Sequence, residues 1–125
     1  LIKAFKTNKP PVISNPAAAN DYIYVDDVIN AFVKAVEDKN CDGVFNLGSG
    51  QATSVAEISG LVERVIRNSD DFSSQLIKKV ASIKSGSGMW ADITSSGRQL
   101  GWAPQVLLID GINRTIDGVC GDGDS

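Results

Sequence analysis

The spacing of apolar residues along this 125-residue chain changes several times, and each change marks an element. Leu1-Ile2-Lys3-Ala4-Phe5 opens as a helix. The connector Pro10–Pro16 follows, its prolines favouring extended backbone with few ladder donors. Asp21-Tyr22-Ile23-Tyr24-Val25 alternates aromatic and β-branched residues at period two and predicts a strand. Asp26 is the expected N-cap of a helix over Asp27–Lys39. There Val28, Phe32, Ala35 and Val36 share one face, widened by Ile29 and Val33, and this stripe is expected to be core.

Asp42-Gly43 then turns the chain into Val44–Leu47, a short strand candidate. Gly48-Ser49-Gly50 leads into a second amphipathic helix from Val55 to Arg67, with Ser54 and Glu57 in S-x-x-E capping register. Val55, Ile58, Leu61, Val62 and Val65 mark its buried side. Asn68–Ser74 reads as a loop, Lys78–Ile83 as a weak strand and Lys84–Gly88 as a flexible link. Trp90–Ile93 precedes a short helical turn ending near Gly101. After Pro104, Leu108, Ile112 and Ile116 recur at helical spacing. Residues 121–125 are expected to form a disordered tail after a domain spanning 1–120. Strands alternating with helices give an α/β fold class.

Composition narrows the function. Hydrophobic residues make up 42% and charged residues 22%, as in folded globular chains rather than disordered ones. A net charge of −3 disfavours nucleic acid as a partner, and the apolar runs are too short to span a membrane. The absence of histidine excludes Ser-His-Asp and Cys-His catalysis and every His-containing zinc site. The two cysteines, Cys41 and Cys120, cannot make a four-cysteine metal site, and their wide separation fits a reducing cytoplasm better than a disulfide. A start at Leu1 in mid-helix leads us to expect a piece of a longer polypeptide.

The chemistry therefore rests on Asp, Lys, Arg, Tyr, Ser, Thr or backbone. Between a strand and a helix, Gly48–Ser54 is placed where N–H groups can cradle phosphate. Thr53 stands where G-x-G-x-x-G has its third glycine, and no Gly-Lys-Ser/Thr follows, so a tight turn with a Ser cap is the favoured reading. Asp26 and Asp27 diverge from adjacent helix positions and suit the positive end of the helix dipole rather than an acid/base pair. Tyr22 and Tyr24 are expected to pack on the following helix. Lys84 could reach an anionic ligand as a point charge, and Asp92 could pair with it or cap the turn near Thr94. Trp90 and Trp102 read as packing residues. Lys3, Lys6 and Lys9 form a solvated stripe.

Six segments in order carry a resemblance. They are Asp21-Tyr22-Ile23-Tyr24-Val25-Asp26-Asp27-Val28, Gly43–Gly50, Ser54-Val55-Ala56-Glu57-Ile58, Ala91-Asp92-Ile93-Thr94, Leu100-Gly101-Trp102-Ala103-Pro104 and Asp110–Ile116. Across Phe5 to Asp117 the chain resembles the C-terminal part of the extended short-chain dehydrogenase/reductases, the NAD-dependent epimerases and dehydratases of nucleotide sugars. The resemblance implies an incomplete Rossmann-like sheet carrying a small substrate-binding subdomain. It also implies that the coenzyme-binding portion, with its glycine fingerprint and Y-x-x-x-K pair, lies upstream of this region. Here Tyr22 is followed four residues on by Asp26 and Tyr24 by Val28, so no catalytic residue is assigned in this chain.

On that likeness the chain would bind a nucleotide-sugar for an NAD(P)-dependent parent able to form a homodimer, and be inactive alone without holding the coenzyme tightly. Asn20 stands where the family carries a diphosphate-binding Arg, and Lys84 is the nearest basic residue to the second such Arg. Both are the candidate substrate contacts. Neutral Asn20 donates hydrogen bonds without neutralising phosphate charge. The alternative is a non-catalytic dinucleotide-sensing or partner-binding module of the same fold. A reductase branch acting on small carbonyl compounds is the third reading.

Overall fold

The computed structural model of the chain describes residues 1–68 and 88–121. Helix α3, Val55–Arg67, spans the residues its pattern predicts. Its start is fixed chemically: Ser54 Oγ accepts from Glu57 N at 3.2 Å, and the Glu57 carboxylate accepts from Ser54 N at 2.8 Å. This reciprocal box satisfies two donors that a helix N-terminus leaves open. Asn68, in the left-handed conformation at φ 47°, ends the helix.

Helix α3 is the centre of the packing. One side of it meets α1, Ile2–Lys6, and α5, Leu108–Gly121. Phe5, Val62 and Ile116, one from each helix, are the buried cluster, with Ile2, Ile58, Val65, Ile66 and Ile112 packed around it. Small residues of α3, Ala56, Ser59 and Gly60, are buried too. A fourth helix, α4, Thr94–Leu100, ends at Gly101, whose φ of 57° suits a residue without Cβ.

The sheet is small. Strand β1, Ala19–Asn20, pairs antiparallel with β2, Thr53–Ser54, and Asn20 also makes an isolated parallel bridge to Met89. Val55 N and Ala56 N donate to Ala18 O at 2.8 Å and Pro16 O at 3.0 Å, extending the join into α3. The architecture is α/β with an incomplete sheet.

Four expectations are corrected. Asp21–Val25 is not a strand: β1 ends at Asn20, the Asp21 side chain is drawn into the Ser49-Gly50 loop, and Tyr24 is already the cap of helix α2, Val25–Glu37. Val44–Leu47 lies outside any sheet, because no strand of the described residues runs beside it. Helix α2 covers Val25–Glu37, so Asp26 sits inside its first turn and does not cap it. The stripe on α2 expected in the core is largely exposed, with Phe32 66% and Val36 83% accessible alongside Ile29 and Val33.

The buried side of α2 is instead Asp27 and Ala31. Asp27, 2% exposed, accepts from Gln105 N at 2.9 Å and Val106 N at 3.0 Å. Its carbonyl accepts from Nε1 of Trp102, the most deeply buried large side chain, at 2.9 Å. Asp26 points away and meets Arg114 of α5 at 3.3 Å, while the Arg114 guanidinium lies 5.5 Å from the Tyr24 ring centroid. The two carboxylates thus diverge, one inward and one outward. The expected strand at Lys78–Ile83 and the expected link at Lys84–Ser87 lie outside the described residues, as do 122–125 of the expected tail.

Asp27→Ala would strip the Gln105 and Val106 N–H groups of their shared acceptor. We expect a loss of about 2–4 kcal/mol in urea unfolding, well beyond the effect of Asp26→Ala on its exposed ion pair.

Candidate functional site

Asp21 follows β1 directly and turns its side chain toward the glycine loop. Oδ1 accepts from Ser49 N at 2.7 Å and Ser49 Oγ at 2.6 Å, and Oδ2 accepts from Gly50 N and Ala91 N, each at 3.1 Å. Burial pushes the carboxyl up, but the bonds from Ser49, Ala91 and Gly50 outweigh it and hold Asp21 below its ordinary value of 3.8. Gly48 makes room for it: a Cβ there would clash with Asp21 Oδ2 and lie 2.7 Å from Ala91 Cβ, so one of them would have to shift.

This arrangement decides what the loop can do. Two of its N–H groups, at Ser49 and Gly50, already serve an internal carboxylate, and Ser54 N serves Glu57. The loop holds an anion, but the anion is the chain's own. Of the two readings of Gly48–Ser54, the tight turn with a Ser cap is the one built, and its donors are not offered to an incoming phosphate.

Asn20 lies at the edge of this construction, exposed, with Thr53 on one side and Met89 on the other. Lys84, the other candidate contact, lies outside the described residues. Beyond Ala91, the Asp92 carboxylate accepts from Thr94 N at 3.0 Å. Hydrogen bonding from Thr94, with Arg98 nearby, holds Asp92 below its usual value. It therefore takes the capping role. Asn46, after the turn at Gly43, is tied to the same region because Ser96 Oγ donates to its carbonyl. Tyr22 makes no strand face, and Tyr24 packs on Gly111 of α5. Trp102 is a packing residue as expected, whereas Trp90 is exposed. No cluster of metal-ligating side chains occurs among the described residues.

Sequence reasoning did not single out Asp21. The available signal was an acidic residue ending an apolar approach ahead of a Gly-Ser-Gly loop. In this chain the Ser49 and Gly50 N–H groups of that loop are met by Asp21.

No family model matches the chain. It is 27% identical over 113 residues to dTDP-4-dehydro-6-deoxyglucose reductase of Escherichia coli, covering 86% of this chain and 33% of that protein. It is 29% identical over 108 residues to UDP-glucose 4-epimerase of Mycolicibacterium smegmatis, covering 85% of this chain and 33% of the relative. UDP-glucuronic acid 4-epimerase from Bacillus cereus, solved with NAD, superimposes with a TM-score of 0.73 at 26% identity, over 97% of this chain and 38% of that one. The chain is related to the nucleotide-sugar epimerases and reductases. UDP-glucose 4-epimerase from Thermotoga maritima, solved with UDP-glucose, shares the fold at a TM-score of 0.75 and 22% identity. The chain spans about a third of the length of its curated relatives.

Two outcomes test this geometry. Gly48→Ala should cost about 1–3 kcal/mol by forcing Asp21 or Ala91 aside, read by thermal or urea unfolding. Asp21 and Glu57 are both held below their ordinary values of 3.8 and 4.5, so their contribution is complete above 4.5 and is lost as pH falls through the lowered values. Unfolding free energy should therefore decline on acidification only below that point. Asp21→Asn should be less stable at neutral pH and show a shallower acid decline.

Proposed function

We propose that this chain is the nucleotide-sugar-holding portion of an NAD(P)-dependent epimerase, dehydratase or reductase, and that it does no redox chemistry by itself. The observation that carries the reading is the match of nearly the whole chain to about a third of enzymes of this one class. Two features of the fold support it. The apolar stripe of α2 is uncovered, and Val44, 91% exposed, opens the Val44–Leu47 run, which has no partner strand among the described residues. Each lacks the same thing, a sheet layer, which a coenzyme-binding portion would supply.

The coenzyme belongs with that other portion. The glycine loop, whose Ser49 and Gly50 N–H groups are already taken by Asp21, is a poor cradle for a pyrophosphate, so this chain contributes grip and orientation rather than hydride or proton transfer. Asn20 would donate its side-chain amide to the ligand without adding charge. A diphosphate held there is gripped by hydrogen bonding more than by neutralisation, and its affinity depends little on salt.

Calorimetry with UDP-glucose, together with NADH absorbance, tests the reading. Binding of the nucleotide-sugar without turnover is expected, and turnover by these residues alone would overturn the division of labour. Asn20→Arg, which restores a cation at the candidate contact, should tighten UDP binding by about tenfold at low ionic strength, with the gain shrinking as salt is added. No gain would remove Asn20 from the site.

A further inference from the structure

Asp21 reaches segments far apart in sequence, Ser49-Gly50 and Ala91, and both adjoin the neighbours of Asn20. Thr53, which pairs with Asn20 across the sheet, follows Gly50 closely, and Met89, which bridges to Asn20 on the other side, directly precedes Trp90 and Ala91. One carboxylate thus anchors the chain on both flanks of the candidate contact and is itself the next residue along. Gly48 shows how little slack there is, since even a methyl group would strike Asp21 Oδ2.

We propose that Asp21 is the positioning residue of the nucleotide-sugar site: by filling the anion nest of Ser49, Gly50 and Ala91, it fixes Asn20 between Thr53 and Met89 and keeps the loop closed to phosphate. The ligand rests on the function proposed above, whereas the nest does not. A side chain that acts by occupying a nest can be replaced by a small free carboxylate, which an ordinary packing residue cannot. Formate has the right shape and charge.

The test compares wild-type protein and Asp21→Ala in sodium formate and in sodium chloride at equal ionic strength. Thermal melting, far-ultraviolet circular dichroism and UDP binding are the readouts. Asp21→Ala should melt below wild type and bind UDP about tenfold more weakly, with formate but not chloride restoring part of both. If Asp21→Ala is unfolded in chloride, recovery of its dichroism in formate is the same result. Ser49→Ala, which keeps the peptide donors and loses one hydroxyl bond, should remain folded with a smaller loss of affinity. Equal effects of formate and chloride on Asp21→Ala would overturn the proposal, as would wild-type UDP affinity in a folded Asp21→Ala. Wild-type protein that fails to bind UDP would defeat the proposed function, and the formate-specific melting shift would still decide the nest.

Discussion

A carboxylate partly withdrawn from water must be given donors, and in this fold Asp21 is answered by the Ser49 hydroxyl and by peptide N–H groups from loops distant in sequence. That requirement works in both directions. Without the loops Asp21 would be a partly buried charge lacking compensation. Without Asp21 the aligned N–H groups of Ser49, Gly50 and Ala91 would lose their shared acceptor. The sheet that joins these segments is only two residues wide in each strand, so ladder bonds alone give it little hold. The carboxylate supplies what a longer ladder would have supplied.

Asp27 repeats the device at the other end of α2's surroundings. It gathers Gln105 N and Val106 N while its carbonyl takes the Trp102 indole, so the segment between α4 and α5 is fastened to the first turn of α2. In both places an acidic side chain terminates loop backbone that no neighbouring strand satisfies. Asp26 and Asp92, one residue away from these anchored positions, remain outside and serve an exposed ion pair and a helix start. Adjacent residues thus divide between anchoring the interior and dressing the surface.

How legible each element was depended on whether its determinants were local. Helix α3 could be read to its ends because Ser54, Glu57 and the apolar repeat all lie within it. Helix α5 followed from Leu108, Ile112 and Ile116 for the same reason, and the cluster around Val62 bears this out. The period of α2 was equally clear, but period tells which residues share a face and not what faces them. Asp21–Val25 misled because its alternation is compatible with a strand, whereas the Asp21 side chain is held by a loop 28 residues on. The donor set of Asp21 spans two segments, Ser49-Gly50 and Ala91, and no spacing rule connects them. Asn20 was found only through likeness to a family, since an exposed amide carries no pattern of its own.

The uncovered stripe of α2 is where the sequence and the structure make one case from opposite sides. Ile29, Phe32, Val33 and Val36 have the spacing of a core, yet they are exposed in a chain whose own core is assembled from α1, α3 and α5. Burying Phe32 and Val36 would gain about 25 cal/mol for each Å² removed from water. A helix this amphipathic is expected to have a surface to cover. The Val44–Leu47 run that follows it is β-forming and lacks a ladder. An exposed apolar helix face and a β-prone run without a ladder among the described residues, consecutive in one chain, call for the same kind of neighbour. A parallel layer satisfies both at once, because a strand added beside Val44–Leu47 brings with it the sheet face that α2 would cover. Relatives about three times as long as the stretch they share with this chain have the length to provide such a layer.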